Sequence, residues 1–205
     1  MKAKIKRILA RLLYPLRRLM GRFIIIEDVT QGLFYKAGKF VAGAKINGDY
    51  IEFGVYSGSS FALAFHSIQR AFKHSYTPSI WNTEQDCIER RKLWEKMRFI
   101  AFDSFQGLPE PAGVDSLSKD FVEGKFANSK ERFESYLVSQ RVPLNRARTV
   151  PGWFAETLNE ETIKKHELKH AAIVHIDSDL YESARLALNF VKPLLVDGTV
   201  IIFDD

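Results

Sequence analysis

From about residue 48 the chain alternates two patterns. Short, unbroken apolar runs are followed by longer segments whose apolar positions recur every three or four residues. The runs at 49–55, 98–103, 146–150, 171–176 and 198–203 read as strands. Helices are predicted over 60–74, from 84 to about 97, from about 129 to 140, from 160 to about 170 and over 181–195, with Pro193 near the end of the last. Thr83 and Asp86 form a capping pattern for the second helix; Asn128 and Asn159 are the expected caps of the third and fourth. Residues 109–127 read as a loop. Continuous apolar strands separated by helices predict a doubly wound, mainly parallel α/β sheet covered on both faces. The interval from Val55 to Arg98 is longer than one crossover needs, which accounts for the helix at 84–97.

The head of the chain follows another rule. Ile5, Ile8, Leu9, Leu12, Leu16, Leu19 and Met20 share one helical face, and Pro15 divides it into two short helices. Arg11 interrupts the apolar stretch, so neither a signal-peptide core nor a membrane span is predicted. The expected organisation is a basic amphipathic segment at 1–25 and one domain at 26–205. Composition sharpens this. The chain has 30 Lys plus Arg against 25 Asp plus Glu, a net +5. Residues 1–22 hold eight of those cations and no acid, so the remainder is slightly acidic and nucleic-acid binding by the domain is not expected. The head either lies on anionic lipid, as a peripheral membrane contact, or packs on the core or on a second copy in a homo-oligomer. With 46% hydrophobic residues the chain can bury a sizeable core, which excludes a disordered chain. A single cysteine, Cys87, forms no intrachain disulfide and fits a cytoplasmic setting, with the head at the inner face of the membrane.

Ligands of parallel sheets sit beyond the carboxyl ends of the strands. There the sequence places the turn from Gly54 to Gly58, Asp103 with Ser104, Trp153, Asp177 with Asp179, and Asp204 with Asp205. Gly54 and Gly58 lack the G-x-G-x-x-G spacing, which disfavours hydride transfer with NAD. Glu52, just before the turn, suits a ligand carrying an ammonium or hydroxyls. Asp103 suits the two hydroxyls of a ribose, or a cap. Asp177, Asp179, Asp204 and Asp205 would repel one another without a cation and suit a hard divalent ion such as Mg²⁺. That clustering requires their two strands to be neighbours. His166 and His170 fit H-E-x-x-H, but they fall in the last turn of a short helix flanked by lysines, so a zinc-protease site is not expected.

Together these motifs resemble a known family. GDYIEFGVYSG at 48–58, FDSFQGLPEP at 102–111, GWFAETL at 152–158, HIDSDLYES at 175–183 and the closing Asp204 and Asp205 are similar to the macrocin O-methyltransferase (TylF-like) family. The resemblance implies a Rossmann-like class I methyltransferase using S-adenosyl-L-methionine and Mg²⁺ on a hydroxyl of a sugar or glycan. It implies Asp177, Asp204 and Asp205 as metal ligands and Asp179 as general base. It implies that Glu52 and the turn from Gly54 to Gly58 face the methionine part of the cofactor and Asp103 the ribose, with Tyr56, Ser57, Ser60 and Ser104 also counted as cofactor-binding. Two neighbouring hydroxyls on one ion would make the acceptor a sugar diol. The family's chain continues past the paired aspartates, so C-terminal strands are expected to be missing here. The loop at 109–127, with Phe121 and Phe126, either closes over the site or is a plain surface loop. Two other classes compete. A metal-dependent nucleotide-sugar glycosyltransferase also sets D-x-D after an apolar strand, and an inactive peripheral membrane or scaffold protein could keep the fold. An aspartyl-nucleophile phosphatase is disfavoured by Tyr181, where it wants Thr or Val.

Overall fold

The computed structural model describes residues 32–80 and 82–204; the amphipathic head and Asp205 lie outside the described residues. Five strands run in the order β3-β2-β1-β4-β5, each parallel to its neighbours. They are β1 (Asp49–Phe53), β2 (Phe99–Asp103), β3 (Ala147–Pro151), β4 (Ala171–Ile176) and β5 (Leu195–Phe203). The order reverses between β1 and β4, so the crossovers leave a crevice at that point. Every residue of β1 and β4 is buried, as continuous apolar strands predict.

Alternation along β1 sorts the core. Tyr50 faces one layer with Phe34, Phe61, Phe65, Trp94, Phe99 and Phe133. Ile51 and Phe53 face the other with Phe102, Val174 and Phe190. The first layer is covered by α1 (32–43), α2 (Ser59–Ser75), α3 (Glu84–Lys96) and α4 (Lys130–Ser139). The second is covered by α5 (Phe154–Thr157), α6 (Glu160–Lys165) and α7 (Tyr181–Val191). Helix α1 was not predicted, although Phe34, Ala37, Val41 and Ala42 have helical spacing and are buried.

The caps show where local sequence decided the boundaries. Thr83 and Asp86 make the expected reciprocal capping box of α3. Asn159 caps α6 through Thr162 N. The cap of α4 is Ser129, not Asn128; the Asn128 amide instead donates to Tyr56 O across the glycine turn. Helix α6 ends at Lys165, five residues sooner than expected, because Glu167 takes a left-handed φ of 51° and the chain turns into β4. Helix α7 likewise ends at Val191, and Pro193 sits in a 3-10 turn over Lys192–Leu194.

Candidate active site

Strand β1 runs into the turn at Gly54, whose φ is +82°. A Cβ there would lie 1.8 Å from the carbonyl oxygen of Asp177, so glycine alone lets β1 and β4 end side by side. Gly58, at φ +89°, starts α2, and a Cβ on it would strike the Phe133 ring. Asp103, at the end of β2, organises this region. One carboxylate oxygen accepts from Val55 N at 2.8 Å and Tyr56 N at 3.0 Å; the other accepts from Phe105 N at 2.7 Å. It thus ties the glycine turn to the loop after β2.

Glu52 points away from the turn into the layer under α2. It is fully buried and accepts from Ser60 Oγ and from the Tyr50 hydroxyl, each at 2.5 Å. His175 Nδ1 lies 3.5 Å from both Glu52 and the Tyr50 oxygen. Burial alone would lower the His175 pKa, but the Glu52 hydrogen bond and the charges of Glu52, Asp177 and Asp204 leave it raised. The Asp177 carboxyl is pushed up to about 7 by burial first and then by Asp204, with smaller contributions from Glu52 and Asp179 and an opposing one from His175. Strand pairing explains the Asp204 effect: Ile176 is opposite Phe203, and Asp204 N donates to Ile176 O at 3.1 Å. The neighbouring strands needed for an acidic cluster are therefore present.

The ligating atoms of Glu52, His175 and Asp177 all lie within 4.8 Å of one another. Both Glu52 oxygens are already committed to hydroxyl donors, and Glu52 and His175 are sealed from solvent. We read this trio as a hydrogen-bonded support beneath Asp177. Asp204, at the end of the neighbouring strand, is exposed, and its charge acts on Asp177.

A cavity of about 510 Å³ opens at the carboxyl ends of β1 to β4. Of the predicted site residues, Gly54, Tyr56, Asp103, Ser104, Asp177 and Asp179 line it. Glu52, Ser57, Gly58, Ser60 and Asp204 are not among its lining residues. Ser60 is spent on Glu52, Ser57 sits against Ser59, and Gly58 faces Phe133. Asp205 lies outside the described residues. Trp153 lines the cavity from the end of β3, as its position suggested. Sequence reasoning missed Phe154, Glu182, Ser183 and Leu186. Glu182 and Ser183 belong to the HIDSDLYES segment and lie one turn beyond Asp179, the signal that could have found them. His166 is the C-cap of α6 and His170 lies four residues further on, in the irregular segment before β4, so the two share no helix face.

With the site in place, comparison with known proteins is decisive. The sequence profile of the macrocin-O-methyltransferase (TylF) family matches residues 32–205. The chain belongs to this family. Among similar proteins is an 8-demethyl-8-(2,3-dimethoxy-alpha-L-rhamnosyl)-tetracenomycin-C 4'-O-methyltransferase of Streptomyces olivaceus, 29% identical over 166 residues, covering 78% of this chain and 53% of that protein. Another is the demethyldecarbamoylnovobiocin O-methyltransferase of Streptomyces niveus, 27% identical over 170 residues, covering 80% and 55%. The chain thus spans about half the length of these relatives. The fold matches the solved O-methyltransferase NovP with a TM-score of 0.65 and 23% identity, over 85% of this chain and 64% of that one. It also matches a calicheamicin methyltransferase with a TM-score of 0.64 and 22% identity, over 89% and 65%. Among the described residues no helix is long and apolar enough to cross a membrane.

Proposed function

We propose that this chain carries the donor site and base of an S-adenosyl-L-methionine-dependent O-methyltransferase acting on a sugar or glycan hydroxyl. The observation that carries the reading is that one cavity is lined both by the glycine turn at Gly54 and by Asp177 and Asp179. Its volume falls within the roughly 300–1,000 Å³ of small-molecule sites. Phe126, Trp153, Phe154 and Leu186 offer apolar walls for an adenine ring, and the acids suit a cationic sulfonium. Asp103 acts on the donor chiefly by holding the turn, since its oxygens already accept three backbone N–H groups.

Asp177 and Asp204, with Asp205, are the residues that would hold Mg²⁺: carboxylate oxygens suit a hard cation, and Asp204 follows the strand paired with the one that precedes Asp177. Bound there, the ion would stabilise negative charge on the acceptor oxygen. The chain's own residues do the rest. Asp179, held at a left-handed φ of 59° on the cavity rim, accepts the acceptor hydroxyl proton. The oxygen then displaces the sulfonium in line; the new O–C bond forms as the S–C bond breaks and its electron pair stays on sulfur. The cavity walls align the two reactants. A sugar hydroxyl is the acceptor class this reading assigns, in keeping with the rhamnosyl 4'-position named for one relative, whose 2- and 3-positions already carry methoxy groups.

Calorimetry with S-adenosylmethionine, S-adenosylhomocysteine and a nucleotide sugar, each with and without Mg²⁺, tests the reading. Binding of the adenosyl compounds alone is expected. Binding of the nucleotide sugar alone would favour the glycosyltransferase. EDTA is expected to stop methyl transfer and added Mg²⁺ to restore it.

A further inference from the structure

The first turns of α7 form one wall of the cavity, through Glu182, Ser183 and Leu186. The start of that wall is held in place. Leu180 occupies the N-cap and its side chain cannot accept a hydrogen bond. Asp115, only 6% exposed, supplies the acceptors instead: one oxygen takes Tyr181 N at 2.9 Å and the other Glu182 N at 3.3 Å.

The Glu182 side chain is held as well. Arg185 donates to its Oε2 from Nε at 2.9 Å and from Nη2 at 2.6 Å. Both bonds go to Oε2, so Oε1 is not needed to hold the pair. An ionised carboxylate has about four lone-pair sites, and its charge is favoured in the first turn of a helix. The guanidinium already neutralises this acid, so it exerts little pull on a sulfonium, an ammonium or a metal ion. It keeps the capacity to accept from an O–H. Two other polar side chains on the walls are spent inside the fold. Asp103 accepts three backbone N–H groups, and Ser104 Oγ donates to Gly107 O and accepts from Gln106 N. Glu182 follows Asp179 by three residues, and both line the same cavity.

We propose that Glu182 is a specificity-determining residue for the acceptor: its carboxylate accepts from a sugar hydroxyl other than the one that is methylated, and Arg185 positions it. A sugar whose proton is taken at Asp179 then presents a second hydroxyl to the α7 wall. An acceptor whose other ring positions already carry methoxy groups does not meet that demand. The proposal rests on the sugar-acceptor reading above and narrows it to acceptors with a second free hydroxyl.

The test titrates S-adenosylhomocysteine-saturated protein, with Mg²⁺ present, with methyl α-L-rhamnopyranoside and its 2-, 3- and 4-deoxy analogues, read by NMR. The proteins are the parent, Glu182→Ala, Glu182→Gln, Arg185→Ala and Arg185→Lys. Glu182→Ala is expected to weaken rhamnoside binding about tenfold, as for a lost hydrogen bond to a charged group, with S-adenosylhomocysteine affinity within about twofold of the parent. One deoxy analogue should bind the parent about tenfold more weakly than the rhamnoside does, and that analogue alone should lose nothing further in Glu182→Ala. Glu182→Gln keeps an acceptor oxygen without the charge and should fall between; it carries the test if the alanine variant does not fold. Arg185→Ala should weaken rhamnoside binding about threefold, and Arg185→Lys should recover part of that. Equal losses on every deoxy analogue mark a structural role and overturn the proposal, as does rhamnoside affinity within about twofold of the parent in Glu182→Ala. A loss confined to S-adenosylhomocysteine assigns Glu182 to the donor and overturns it too. A parent that binds S-adenosylhomocysteine but no glycoside overturns the proposal and leaves the donor reading standing. Glycoside binding without S-adenosylhomocysteine binding counts against the donor reading alone, and the variants are then compared on the glycosides by themselves. A parent that binds neither overturns both.

Discussion

The two ends of the sheet both carry buried acids and treat them in opposite ways. At the amino end Asp49 meets the Arg98 guanidinium, with Nη2 at 2.5 Å and Nε at 3.0 Å. The remaining Arg98 donors reach His166 O and Glu167 O, which closes the end of α6. At the carboxyl end the charges of Glu52, Asp177 and Asp204 act on the His175 imidazole, and Asp177 is pushed up to about 7. One end is neutralised within the fold. The other keeps its acids without a Lys or Arg partner next to a cavity, where burial and then Asp204 hold the Asp177 carboxyl up.

The sharpest way to break this contrast is at the working end. Asp179→Asn should reduce turnover by at least about 100-fold while the S-adenosylhomocysteine affinity stays within about twofold. A steady-state assay paired with calorimetry checks both, and a variant that keeps turnover within a few-fold removes Asp179 as base. At the quiet end Arg98→Ala leaves Asp49 buried and unpaired. It should cost about 3 kcal/mol and lower the melting temperature by about 6–12 °C in calorimetry, with turnover per folded molecule unchanged. Asp103→Ala frees three backbone N–H groups of the cavity loops and should weaken S-adenosylhomocysteine binding about tenfold.

A smaller effect separates the ends by pH. Asp177 has a folded pKa of about 7 against an ordinary 3.8, so between those values the folded state holds the extra proton. Stability therefore falls as pH rises from about 4 through 7 and stays lower above it. His175 acts in the same direction: its raised pKa gives stability that is present below 6.5 and is lost as pH rises through the folded value. The ligand-free protein should melt a few degrees lower at pH 8 than at pH 5.5; Asp177→Asn should flatten the slope, and Mg²⁺ should offset it. A pH-independent melting temperature in the parent would refute the charge imbalance. The smallest expected change is His170→Ala, with turnover within about twofold.

Elements whose signal is local were legible in the sequence. The apolar runs at 171–176 and 99–103, the Thr83 and Asp86 box and the Asn159 cap all depend on neighbours within a few residues. The acids at the strand ends were legible as positions, since a parallel sheet puts them at one rim. What a side chain does after reaching that rim was not. Glu52 alternates into the layer below because Tyr50 and Ser60 are there to donate, and Asp103 turns back onto the backbone of the glycine turn. His175 read as an ordinary residue because its partner Glu52 lies on another strand. The Asp115 cap was invisible for the same reason.

The strand order also has a kinetic side. Tyr50 and His175 touch across the central pair of strands although 125 residues separate them. Contacts of such span pay a loop-closure cost before they contribute, and parallel topologies dominated by them fold slowly. The crevice between β1 and β4 is thus expected to form late, after the intervening helices and β2 have collapsed around the phenylalanine layers. A chain caught before that step would expose the flank of β1, every residue of which is buried in the folded protein, and would depend on rapid docking of β4 to avoid association with other copies.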